Sequence, residues 1–112
     1  MTDPHEVLEL TRKLGREPDV DTALHIMQWE LGDLVKSWTY SQWHPDLAAA
    51  YRSEALHALA DLLFQVEVVA QLLGEDVPML LDFGVDIVED RIMEKKKKLG
   101  RFEHYKGDKE DE

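Results

Sequence analysis

Residues that start and stop helices recur at short intervals along this 112-residue chain, and that punctuation limits the possible folds more than any other feature. Asp3-Pro4 places a good N-cap before proline at the first helical position, and Gly15 offers a stop beyond Val7, Leu8 and Leu10. Asp19 and Asp21 can cap a second helix, in which Leu24, Met27, Leu31, Leu34, Val35 and Trp38 fall on one stripe before an end near Tyr40. Ser41 to Pro45 reads as a loop, and Asp46 as the cap of a long third helix reaching Gly74. From Leu59 to Leu73 that helix is apolar on most sides, which makes it the central one. Pro78, preceded by Asp76, opens a fourth helix that runs through Leu80, Leu81, Val85, Val88 and Ile92 to the Lys95 to Lys98 run, whose positive charge suits a helix C-terminus. Almost nothing alternates in the manner of a strand. The expected fold is all-α, four-helix and bundle-like, with one domain over 1–103 and a charged, flexible tail over 104–112.

Composition narrows the partners. The chain is 44% hydrophobic and 33% charged, enough for a modest core, and so thin a core favours burying further surface in a homodimer or tetramer. A net charge of −11 argues against a nucleic-acid surface, because phosphate backbones reward clustered Lys and Arg; cations are the better expectation. With no cysteine, disulfides, thiolate zinc sites and a cysteine nucleophile are all excluded. The N-terminus, Met-Thr-Asp-Pro-His-Glu, is polar and acidic, and no apolar run reads as membrane-spanning, so a cytoplasmic protein without membrane contact is expected.

Chemistry, if present, belongs to the carboxylates. Glu30 and Asp33 lie three apart and project from neighbouring positions on one helix face, at the edge of the apolar stripe. On the third helix Glu54, His57, Asp61 and Gln65 recur at helical spacing as a polar seam. Asp61 is set among Leu59, Leu62, Leu63 and Phe64, where an unpartnered buried carboxylate is very costly. Pair and seam can face each other, and converging carboxylates without thiolates favour Mg²⁺ or Mn²⁺. Plainer readings stay open: a solvated Glu-x-x-Asp face, an Asp61 ion pair with Arg52 or Arg91, a hydrogen-bonded His57, and Trp29, Trp38 and Trp43 as core or interface aromatics. One of these tryptophans could equally stack on a base.

The order and spacing of these segments resemble the MazG-type nucleotide pyrophosphohydrolases. Glu30-Leu-Gly-Asp33-Leu-Val-Lys36 is similar to the family's E-x-x-E segment, with Asp for the second Glu. Ala58-Leu-Ala-Asp61-Leu-Leu-Phe-Gln-Val66 is similar to its E-x-x-D segment, and Glu89-Asp90-Arg91-Ile-Met-Glu-Lys95 to its downstream acidic and basic stretch. The resemblance implies an all-α domain, a dimer or dimer of dimers, that uses Mg²⁺ to hydrolyse a nucleoside triphosphate to the monophosphate and pyrophosphate. It further implies metal ligands at Glu30, Asp33 and Asp61, phosphate contacts from Arg91, Lys95 and Lys36, and a base-covering aromatic such as Trp29. Ala58 stands where the family has Glu. Glu54, one turn before it on the seam, could supply that carboxylate as the catalytic group; otherwise the resemblance implies a silent nucleotide-binding or oligomeric module.

Overall fold

The computed structural model describes residue 3 and residues 6–110, with side chains through residue 100. It contains α1 (Glu6–Lys13), α2 (Val20–Trp43), a 3₁₀ turn (Pro45–Leu47), α3 (Ala48–Leu72) and α4 (Val77–Glu110), and no strand among the described residues. The all-α expectation is met. Two compact units divide the chain at Val77/Pro78, the first holding α1 to α3 and the second holding α4.

Local chemistry explains the helix ends. The Asp19 carboxylate accepts from the Thr22 N–H at 2.9 Å and from the Thr22 hydroxyl, so the cap of α2 is the first of the two expected aspartates. This demand for the anion holds the Asp19 carboxyl below its usual range, the Thr22 hydroxyl contributing most. Gly15 (φ 99°) and Gly74 (φ 72°) occupy the left-handed region and end α1 and α3. At Gly74 the Glu75 N–H returns to the Ala70 carbonyl at 2.8 Å and the Gly74 N–H to Gln71 at 3.1 Å, the paired bonds of a Schellman stop.

Other ends differ from expectation. α2 runs through Trp43, past Tyr40, and Asp46 lies inside the 3₁₀ turn; Leu47 precedes α3 and no side chain caps it. A turn that already supplies hydrogen bonds needs no separate cap. α4 continues to Glu110, well past the lysine run: no proline follows Lys98, and the helix runs on through Gly100 and Gly107. Pro4 and the last two residues of the expected tail lie outside the described residues.

α2 and α3 form an antiparallel hairpin joined by the 3₁₀ turn. A small core closes its open end, where Val7 of α1, Ala23 of α2 and Val68 of α3 meet, with Leu8, Phe64, Val69 and Leu72 against them. Thr11 is buried there and its hydroxyl donates to the Val7 carbonyl at 2.7 Å. Along the rest of the hairpin the buried positions are small or polar: Ser37 and Ser41 on α2, Ala58 and Gln65 on α3.

Most of the apolar stripe of α2 therefore does not face α3, although Met27 and Leu34 of that stripe are partly buried. Leu24, Leu31, Val35 and Trp38 are exposed, as are Leu56, Leu59 and Leu63 of α3. Small side chains let two helix backbones approach closely, which turns the bulky residues to a second side. Because α3 carries apolar residues on more than one side, Pro45–Leu72 has a mean hydropathy of 1.4 over its best window and is long and apolar enough to cross a membrane by length and composition. That corrects the reading that no apolar run approaches such a length.

Candidate functional site

Midway along the hairpin, a groove of about 460 Å³ opens between α2 and α3. Its walls are Glu30, Asp33, Lys36 and Ser37 from α2, and Ser53, Glu54, His57, Ala58 and Asp61 from α3. On α2 the spacing of three to four residues sets Glu30, Asp33 and Ser37 along one edge; on α3 the same periodicity brings Glu54, His57 and Asp61 to the opposing edge. All four expected carboxylates share this one groove.

Their electrostatics are coupled. Glu30 is half-buried, and partial desolvation pushes its carboxyl above the ordinary glutamate range. The charges of Asp61 across the groove and Asp33 one turn along add to that rise, in that order. Lys36 is the groove's basic side chain, and among the described residues no ion pair joins it to the acids. Its Nζ instead lies 5.8 Å from the centroid of the Tyr40 ring.

Asp61 reaches this position for a different reason from the one its flanks suggest. It is exposed, while its apolar neighbours Leu59 and Leu63 turn to the other side of α3. The seam also divides: Glu54, His57 and Asp61 line the groove, whereas Gln65 is buried against a small crevice formed with Thr11, Asp19, Thr22 and Ala23. Ala58, 4% exposed, lies in the groove lining where the α2 and α3 backbones come close.

The remaining expected residues stand elsewhere. Trp29 is 68% exposed and does not line the groove. Arg91 and Lys95 belong to the second unit, where they share a face of α4 with Val88, Ile92, Glu94 and Lys98. One feature escaped the sequence reading altogether: Tyr40, Trp43, His44 and Tyr51 form an aromatic cluster at the hairpin tip, with Tyr40 5.6 Å from Tyr51 and 5.7 Å from Trp43 between ring centroids. The helical spacing of Tyr40, Trp43 and His44 carries that signal, which a loop over Ser41 to Pro45 hides and the extension of α2 to Trp43 exposes.

As donors, four carboxylates without a thiolate suit a hard divalent cation. Among the described residues, however, no three His, Asp or Glu side chains are gathered tightly enough to hold one as they stand. Asp33, Glu54 and Asp61 are exposed side chains, which change rotamer readily.

Comparison with known proteins adds little. No family model matches the chain, and no solved structure matches it. A stretch of 55 residues is 42% identical to prenyltransferase iacE of Pestalotiopsis fici (strain W106-1 / CGMCC3.15140), covering 43% of this chain and 12% of that protein. The chain thus spans about an eighth of the length of that relative, a likeness that shows no family.

Proposed function

We propose that the α2–α3 groove is the site of a metal-dependent nucleoside triphosphate pyrophosphohydrolase, acting in the cytoplasm as a self-associated protein, with turnover weakened by Ala58. The observation that supports this reading most is the sharing of one groove by Glu30, Asp33, Glu54 and Asp61, with Glu30 raised by its burial and by the two aspartates. Held by Glu30, Asp33 and Asp61, Mg²⁺ (or Mn²⁺) would supply a clamp on phosphate oxygens and a bound water of lowered pKa.

The chain's own residues divide the rest of the work. Glu54 orients the attacking water and accepts its proton as the water oxygen bonds to the α-phosphorus and the bond to pyrophosphate breaks. Lys36, which lines the groove, neutralises phosphate charge. Tyr40 or Tyr51 covers the base from the tip cluster beside Lys36.

Pyrophosphate release from a panel of nucleoside triphosphates with Mg²⁺ tests the proposal. Turnover no higher than that of the Glu30→Ala/Asp61→Ala double variant sinks the enzyme reading. A second reading, a silent nucleotide-binding module, draws on Ala58 and on the lack of three gathered ligands among the described residues. Saturable nucleotide binding by calorimetry without pyrophosphate release would select it.

A further inference from the structure

The fourth helix carries a pattern that the groove does not explain. α4 has 34 residues, about 50 Å at 1.5 Å per residue. Leu81, Val85, Val88, Ile92, Lys95 and Leu99 recur along it at alternating intervals of four and three, the spacing of a coiled-coil seam. Within the second unit taken by itself the apolar members are exposed: Leu81 67%, Val85 47%, Val88 50%, Ile92 48% and Leu99 55%. A single helix has no way to bury its own stripe.

Charge identifies what covers it. From Val77 to Asp90 the helix holds Asp82, Asp86, Glu89 and Asp90 and no basic residue; from Arg91 to Lys98 it holds five basic residues and one acid, Glu94. A parallel pair of such helices sets acid beside acid and base beside base. An antiparallel pair sets each acidic half beside the other copy's basic half, twice over by symmetry.

We infer that α4 is a self-association helix, and that two copies of this chain pair antiparallel along the Leu81–Leu99 seam with their acidic and basic halves opposed. Lys95 is the one charged residue in the seam; its four-carbon stem lies along the apolar surface while its ammonium reaches the acidic half of the second copy, which fixes register. An acidic protein partner is a poorer occupant, since it would repel Asp82 to Asp90. The inference is independent of the groove's chemistry: pyrophosphate release can fail without affecting it, and the reverse.

Sedimentation equilibrium of the full chain is the test. The parent forms a concentration-dependent dimer whose dissociation constant rises several-fold between low and high salt, as screened interhelical charges require. Val88→Asp/Ile92→Asp abolishes the dimer while the helical circular-dichroism signal of the chain is kept. Lys95→Glu/Lys96→Glu and Asp82→Lys/Glu89→Lys each weaken self-association at least about tenfold, and mixing the two restores a heterodimer. Orientation is read from disulfides, which the cysteine-free chain makes unambiguous. A mixture of Leu81→Cys and Leu99→Cys copies cross-links under oxidation, and neither variant does so alone. A monomeric parent at every concentration, a dimer that survives Val88→Asp/Ile92→Asp, or cross-linking of Leu81→Cys by itself would each overturn the inference.

Discussion

Placing a carboxylate at position 58 probes the groove more sharply than removing one. Ala58 is 4% exposed in a lining that already holds Glu30, Asp33, Glu54 and Asp61, so Ala58→Glu brings a fifth negative charge into partly desolvated space. Without a cation, desolvation and repulsion cost about 1–3 kcal/mol, and overpacking where the α2 and α3 backbones come close adds about 1–3 kcal/mol that Mg²⁺ does not change. A domain of this size loses about 4–8 °C in Tm per kcal/mol, so a fall of roughly 10 °C or more in the presence of EDTA is expected. Mg²⁺ offsets part of it. For a site with Kd of about 1 mM, 10 mM metal contributes RT ln 11, about 1.4 kcal/mol or roughly 6–11 °C. Paired thermal scans with and without Mg²⁺, run beside pyrophosphate release, measure both consequences. The expected outcome is a larger Mg²⁺-dependent rise in Tm for Ala58→Glu than for the parent, with faster turnover. A variant destabilised equally with and without Mg²⁺, and no faster, refutes the assignment of this groove as a metal site completed at position 58.

The remaining expectations concern the fold and its titration. Because the folded state raises the Glu30 carboxyl, it binds that proton more tightly than the unfolded chain; the group's penalty is absent at low pH and appears as pH rises through its folded value, so Glu30→Gln should stabilise the protein above that range by under about 1 kcal/mol and lose the advantage in acid, by thermal unfolding across pH. Gly74→Ala should cost about 1–2 kcal/mol in denaturant melts: a Cβ there meets no neighbour, so the whole penalty is the left-handed backbone at φ 72°, and an equal effect from Gly32→Ala would contradict it. Val68→Ala, which removes two methyl groups from the best-buried large side chain, should cost about 2 kcal/mol, and a loss below about 0.5 kcal/mol would mean that the α1 contact contributes little.

Helix class and helix punctuation are legible in the residues themselves. Asp19, Gly15 and Gly74 act within a few residues of where they stand, through a side-chain cap or a positive φ, and each does in the structure what its chemistry implies. The membership of the carboxylate groove is nearly as legible, because Glu30 and Asp33 on one helix and Glu54, His57 and Asp61 on the next share faces by periodicity alone.

What periodicity leaves undecided is which face of each helix meets its neighbour. The stripe of Leu24, Leu31, Val35 and Trp38 has the right spacing for a core, yet Ala23, Ser37 and Ser41 take the contact with α3, because close backbone approach selects small side chains over large ones. The same choice turns Asp61 to solvent despite its apolar flanks, buries Gln65 away from its seam, and gathers Tyr40, Trp43, His44 and Tyr51 at the hairpin tip. The helices, the glycine stops and the carboxylate faces follow from interactions a few residues long, and so are written in the residues themselves. That these faces line one groove with Ala58 among them depends on the packing of α2 on α3, which no local interaction sets.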